Sequence, residues 1–210
     1  MVKTITIPEI KVMAELITNM KHKRVGILGG TFNPPHLGHL IIAEQVKSQL
    51  NLDEVMFIPD CQPPHIDKKT AISAEKRLKM VKLSTMDEPG FKVSDIELRR
   101  NGVSYTIDTI KELKLKNPEV DYYFIIGGDM VEYLPKWHRI EELIKLVKFV
   151  GVGRPGYRKE SKYPIMWVDV PMTDISSTLV RRNVMQGCSI KYLVTPEVEN
   201  YIHEEGLYRE

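Results

Sequence analysis

Cysteine is scarce in this chain of 210 residues: Cys61 and Cys188 are the only two. They stand far apart and form no C-x-x-C unit, so neither a redox dithiol nor a disulfide-stapled scaffold is read here, and a reducing, cytoplasmic setting is expected. Long apolar runs are missing as well. No stretch approaches the roughly 20 residues a membrane-spanning helix needs. Residues 9–20 lack the unbroken apolar middle of a signal peptide, because Glu9, Lys11 and Glu15 interrupt it. Charge of one sign is not in excess. The net charge is +2 with no long basic block, which gives no case for a nucleic-acid or membrane partner and leaves a small anionic substrate open. There is no internal repeat, no low-complexity tract and no linker that would split a domain.

What is present suits a packed fold. With 42% hydrophobic and 28% charged residues, the chain has the composition of an ordered domain. Its length suits one α/β domain over residues 23–210 behind an N-terminal extension of residues 1–22. In that extension Ile10, Met13, Ala14 and Ile17 fall at helical spacing. A short amphipathic helix there and a natural start at Met20 are the two readings. Strand-like apolar runs recur at 25–28, 55–58, 91–93, 122–126, 148–152 and 165–168. Helical patterns lie at 40–50, 74–83, 106–115, 140–147, 177–185 and 196–205, the last with Thr195 placed to cap it, Pro196 at its first position and Gly206 past its end. Alternating strands and helices predict a Rossmann-like, doubly wound, mostly parallel sheet with helices on both faces, and ligands at the carboxyl ends of the strands.

Polar clusters fall at such ends after the first, fourth and fifth strand runs, at Gly29–His39, Gly127-Gly128-Asp129 and Gly153–Gly156; the chemistry is read on the first two and on a helix start near the C-terminus. The first is Gly29-Gly30-Thr31-Phe32-Asn33-Pro34-Pro35-His36-Leu37-Gly38-His39, directly after an apolar run. Glycines at a strand-to-helix turn let backbone N–H groups approach a phosphate that a Cβ would hold off. His36 and His39, three residues apart at a helix start, lie on one face. An ordinary βα turn with a capping histidine is the plainer reading. Zinc is a third, with no third and fourth ligand at nearby spacing. The glycine turn and histidines together favour a polyphosphate.

The second cluster is Ser176-Ser177-Thr178, with Arg181 one turn further on the same face. Hydroxyls at a helix start sit where backbone N–H groups are unpaired and the dipole is positive. Beside the first cluster this pattern looks like a second phosphate clamp; alone it is a capped helix with a surface arginine. The third is Gly127-Gly128-Asp129, followed by Tyr133, Trp137 and His138. A carboxylate after a strand suits a ribose hydroxyl or the outer shell of a metal, and a tryptophan in a polar setting suits stacking on a heteroaromatic ring. Thr106 is read either as a plain helix cap or as a ligand contact.

G-G-T-F-x-P-x-H-x-G-H with I-S-S-T-x-x-R resembles the signature of the nucleotidyltransferases with a T/H-x-G-H motif. The segments 126–137 and 150–157, and the length, resemble the bacterial nicotinate-nucleotide adenylyltransferases across about residues 23–210. The resemblance implies joining AMP from ATP to nicotinate mononucleotide, with release of pyrophosphate, in NAD biosynthesis, with Mg²⁺ accompanying ATP. It implies ATP contacts at Gly29, Gly30, Thr31, Phe32, His36, His39, Gly127, Asp129, Ser177, Thr178 and Arg181. His36, His39 and Arg181 would act on the phosphates, and Thr106, Tyr133, Trp137 and His138 would line the mononucleotide pocket. No residue is assigned as a metal ligand, and a homo-oligomer is compatible with the chain.

Several positions depart from the family pattern. Asn33 stands where Asp is also usual, His138 where Tyr is expected, and Lys68 and Lys69 follow Pro63-Pro64-His65 late. Asp60 stands where Asn is expected near the mononucleotide phosphate; an anion beside an anion is unfavourable, so it should turn away or meet Mg²⁺. The same chemistry on nicotinamide mononucleotide is the nearest alternative, and an ATP-binding module without turnover is the alternative from another class.

Overall fold

The structure is a computed structural model that describes residues 22–62, 71–153, 160–171 and 173–209, with only the backbone of Asp129. The expected helix at 9–20, the alternative start at Met20, and His65, Lys68 and Lys69 lie outside the described residues. Six strands carry the fold: β1 (Arg24–Gly30), β2 (Glu54–Pro59), β3 (Phe91–Val93), β4 (Asp121–Gly127), β5 (Lys148–Val152) and β6 (Ile165–Val168). Their order is β3-β2-β1-β4-β5-β6, and every pairing is parallel. This is the doubly wound arrangement the alternation predicts. Its switch point lies between β1 and β4, where the chain leaves neighbouring strands in opposite directions and opens a crevice.

Eight helices are described: α1 (Leu37–Gln49), α2 (Ala74–Thr85), α3 (Ile96–Arg100), α4 (Thr106–Lys116), α5 (Gly128–Tyr133), α6 (Ile140–Leu146), α7 (Ser177–Met185) and α8 (Pro196–Glu204), with a 3-10 turn at Leu134–Lys136. None is long and apolar enough to cross a membrane. Strand residues alternate between the two faces, as the pleat demands. Tyr122, Phe124 and Ile126 join Ile107 and Ile110 of α4 and Leu143 of α6 on one side. Tyr123 and Ile125 join Ala43 and Val46 of α1 and Val81 of α2 on the other. A third cluster of Met80, Val180, Val198, Ile202 and Leu207 docks α7 and α8 onto α2. It carries the second polar cluster around to meet the first.

Two differences from the periodicity matter for the site. α1 begins at Leu37 with His36 as its N-cap residue, so His39 stands inside the first turn. The weak helix former Gly38 and the preceding prolines hide this start from an apolar-spacing count. Helices α3 and α5 are too short for a periodic signal, yet α3 brings Glu97 to the crevice.

Candidate active site

At the switch point the strand ends open into a cleft of about 720 Å³. Gly29, Gly30 and Thr31 form its floor, with His39 on one side, Thr106, Trp137 and His138 on another, and Gly127 between. A Cβ on Gly29 or Gly30 would make only ordinary contacts, 3.5 Å from Phe124 and from Phe32 respectively. The protein's own packing therefore does not require glycine at either position; what their bareness keeps open is the cleft. Phe32 is buried and supports the turn, its ring edge-on to His39 at 4.9 Å between centroids.

The two histidines are ordered by each other. Their rings stack with centroids 3.7 Å apart, and the His36 N–H donates to His39 Nδ1 at 3.1 Å. An accepting Nδ1 carries no proton, so a neutral His39 has its N–H on Nε2. That is the form able to donate to a phosphate oxygen. Gly38 permits the stack, since a Cβ there would lie 3.0 Å from His36 Nδ1 and 3.2 Å from Thr173 Oγ1.

The second cluster closes onto this turn. Arg181 Nη1 donates to Asn33 O at 2.7 Å, and Ser177 Oγ donates to Pro34 O at 2.7 Å. Arg181 Nη2 also donates to Thr178 Oγ1 at 3.2 Å. Ser177 and Arg181 thus brace the histidine loop, and neither they nor Thr178 are among the residues lining the cleft. From the C-terminal tail, the Tyr208 hydroxyl donates to Asn33 Oδ1 at 2.8 Å, and burial pushes its ionisation far up. Tyr208→Phe removes this donor from a buried amide. A loss of about 1–2 kcal/mol in stability is expected, read as a lower urea midpoint; an unchanged midpoint would show that Tyr208 does not anchor the loop.

Both oxygens of Asp60 are engaged within the protein: Thr31 Oγ1 donates to Oδ2 at 2.8 Å and Arg77 Nη1 to Oδ1 at 2.9 Å. Burial pushes the Asp60 carboxyl above its usual range, while the Thr31 hydrogen bond and Arg77 pull it down. The Arg77 side chain is 1% exposed and also donates to the carbonyls of Thr31, Asp60, Cys61 and Ile72. A buried arginine is visible in sequence only as one more helix charge.

The aromatic wall is built from two groups of rings. Trp137, half-buried, meets Phe124 and Phe149 edge-on at 5.7 and 6.0 Å. His138 lies over Tyr105 at 4.4 Å, and both line the cleft. Thr106 is the first residue of α4 and Tyr105 its N-cap, so the plain-cap reading of Thr106 is off by one. Its backbone N–H belongs to the first turn, which has no intrahelical acceptor. Tyr133 is exposed, with Lys136 Nζ 5.0 Å from its ring centroid, and does not line the cleft.

Glu97, Tyr105 and Thr109 line the cleft without having been singled out from sequence. Glu97 Oε1 accepts from Thr109 Oγ1 at 2.8 Å. Burial pushes its carboxyl up to about 7, with Asp60 raising it and Thr109 and Arg100 lowering it. The folded state therefore holds this proton more tightly than the unfolded chain. Its contribution to stability falls as pH rises from the ordinary value of 4.5 through about 7. In urea titrations at pH 5 and 8, Glu97→Gln should lose less stability over that interval than wild type; parallel losses would refute the assignment.

Among the described residues no group of three or more His, Cys, Asp or Glu could hold a metal ion. They form no protein cage for Mg²⁺.

Residues 27–183 match the family model described as Cytidylyltransferase-like. A protein of Lactiplantibacillus plantarum named "Probable nicotinate-nucleotide adenylyltransferase" is 55% identical over 95% of this chain and 95% of its own. A protein of Enterococcus faecalis with the same name is 58% identical over 90% of this chain and 86% of its own. Among solved structures, the Plasmodium falciparum nicotinic acid mononucleotide adenylyltransferase complexed with NaAD superposes with a TM-score of 0.76 at 19% identity, covering 90% of this chain and 98% of that one. That likeness is one of fold.

Proposed function

We propose that this chain, which belongs to the nicotinate-nucleotide adenylyltransferase family, transfers the adenylyl group of ATP to nicotinate mononucleotide, giving nicotinate adenine dinucleotide and pyrophosphate in a cytoplasmic route to NAD. A phosphate oxygen of the mononucleotide attacks the α-phosphorus of ATP. A P–O bond forms there as the bond to the β-phosphate bridging oxygen breaks, and pyrophosphate leaves with the electron pair. The nucleophile is already an anion, so no protein nucleophile or general base is required. The work left to the chain is alignment and charge stabilisation.

The observation that carries this reading is the closure of the two signature segments on one another through Arg181–Asn33 and Ser177–Pro34, at the rim of a cleft whose other wall is aromatic. ATP phosphates are assigned to Gly29, Gly30 and Thr31, to His36 and His39, and to the Ser177, Thr178 and Arg181 helix start. Mg²⁺ arrives bound to those phosphates as part of the substrate. Gly127 and Asp129 are assigned to the nucleotide, and Phe32 supports the turn. The nicotinate ring is assigned to the Trp137 and His138 wall, its carboxylate to Thr106 and the first N–H groups of α4. Tyr133 would reach the mononucleotide only by moving from its position under Lys136.

Pyrophosphate release from Mg²⁺-ATP with nicotinate mononucleotide, and with its nicotinamide analogue, tests the assignment when the dinucleotide is confirmed by mass. Strong preference for the acid is expected. Equal use of both would make the pocket dual, and ATP binding without release would make the chain a binding module. Trp137→Ala should weaken mononucleotide binding much more than ATP binding; equal losses would make the tryptophan structural.

A further inference from the structure

The acidic groups of the cleft are unequally compensated. Asp60, at the end of β2, has Arg77 from α2 on one oxygen and the Thr31 hydroxyl on the other. Glu97, on α3, lines the same cleft, yet forms no ion pair among the described residues. Of the two cations on its own helix, Arg99 lies 3.4 Å from Asp95 and Arg100 is turned to α4. Its Nη2 donates to Glu112 Oε2 at 2.7 Å and its Nη1 to Thr109 Oγ1 at 3.1 Å and Ser104 Oγ at 3.3 Å. The Thr109 hydroxyl accepts from Arg100 and so has its proton free for Glu97 Oε1, which fixes that oxygen as the acceptor. The second oxygen is left to carry a proton.

Thr109 stands three residues from Thr106 on one face of α4, and both line the cleft with Glu97. The other titratable groups on the lining are His39, Asp60, Tyr105, Lys136 and His138. The substrate assigned to this cleft is an anion at both ends. An ionised Glu97 would repel it; a protonated one removes that repulsion and offers an O–H donor.

We propose that Glu97 is a specificity-determining residue of the mononucleotide subsite, taking up one proton from solvent when the acid mononucleotide binds, so that its protonated form selects the pyridine carboxylate and its ionised form the amide. The inference rests on the adenylyl-transfer reading above. Its chemical content is a switch from acceptor to donor at one carboxyl. Ionised, Glu97 favours a ligand that brings an N–H; protonated, it favours one that brings an oxygen anion. Burial beside Asp60 holds the group near neutrality, where binding can tip it.

The test is calorimetric titration of the full chain with each mononucleotide between pH 7.5 and 9, in buffers of different ionisation enthalpy. There the ligand phosphate, with a second ionisation near about 6, no longer titrates. Wild type should take up close to one proton with nicotinate mononucleotide and much less with the nicotinamide analogue. Acid affinity should weaken by up to about tenfold per pH unit. Glu97→Gln should abolish the uptake, flatten the pH dependence, and bind the acid more tightly than wild type at pH 9. Acid binding without proton uptake by wild type overturns the proposal without needing the variant, as does a variant that keeps the wild-type pH slope. Pyrophosphate release measured in parallel separates the two levels. Turnover of the acid without proton uptake overturns the role of Glu97 alone; neither binding nor turnover of either mononucleotide overturns it together with the reading beneath.

Discussion

Arg77→Met should cost about 3–5 kcal/mol of folding stability, the scale for removing one partner of a buried ion pair. Methionine fills much of the volume, so packing is not the main loss. What disappears is a guanidinium that compensates Asp60 and satisfies four carbonyls, of Thr31, Asp60, Cys61 and Ile72. Those acceptors straddle the turn after β1 and the loop after β2, so the loss falls where both feed the cleft. Lysine would keep the charge and lose the fork, because three donors on one nitrogen cannot span acceptors lying on opposite sides. Adding Asp60→Asn in the Arg77→Met background removes the orphaned charge and should recover part of the loss. Urea midpoints of the four proteins of this cycle check the argument. Additive effects would mean that the pair is not coupled, and a loss under about 1 kcal/mol for Arg77→Met would remove it as the keystone of the floor.

How much of this site could be read from sequence depends on what kind of signal each part leaves. The turn 29–39 and the start of α7 were legible because glycines, histidines and hydroxyls at fixed spacing at a helix start are chemically unusual. Their convergence was expected from the pairing of the two clusters, but the packing that brings it about was not legible: α7 and α8 dock against Met80 through Val180, Val198 and Ile202, with no local mark in the sequence. Strand runs were legible because parallel strands buried on both faces read as apolar blocks. Helix α3 was not, since five residues give no period. Glu97 and Arg77 were missed for the same reason as each other. A buried charge looks in sequence like a surface charge, and only its partners distinguish it. Asp60 was noticed as an anion out of place, but the cation that answers it lies on the following helix, 17 positions along the chain.

His39→Ala should lower turnover by at least about a hundredfold while the protein still folds, the scale for losing a donor that acts on developing transition-state charge. The case begins with the tautomer. With Nδ1 accepting from the His36 N–H at 3.1 Å, the imidazole is fixed with Nε2 as its donor, and His39 lines the cleft beside Gly30 and Thr31. Stacking on His36 at 3.7 Å and the Phe32 edge at 4.9 Å hold the ring in place, so little reorganisation is needed when charge moves onto the leaving phosphates. The alanine variant also loses its contact at the N-cap, which costs about 1 kcal/mol or less and leaves stability largely intact. The discriminating measurement is therefore the split between kcat and the ATP dissociation constant. A fall confined to kcat marks an interaction made in the transition state. An equal loss in ATP affinity with kcat preserved would make His39 a ground-state phosphate contact, and near-normal turnover would remove it from the mechanism.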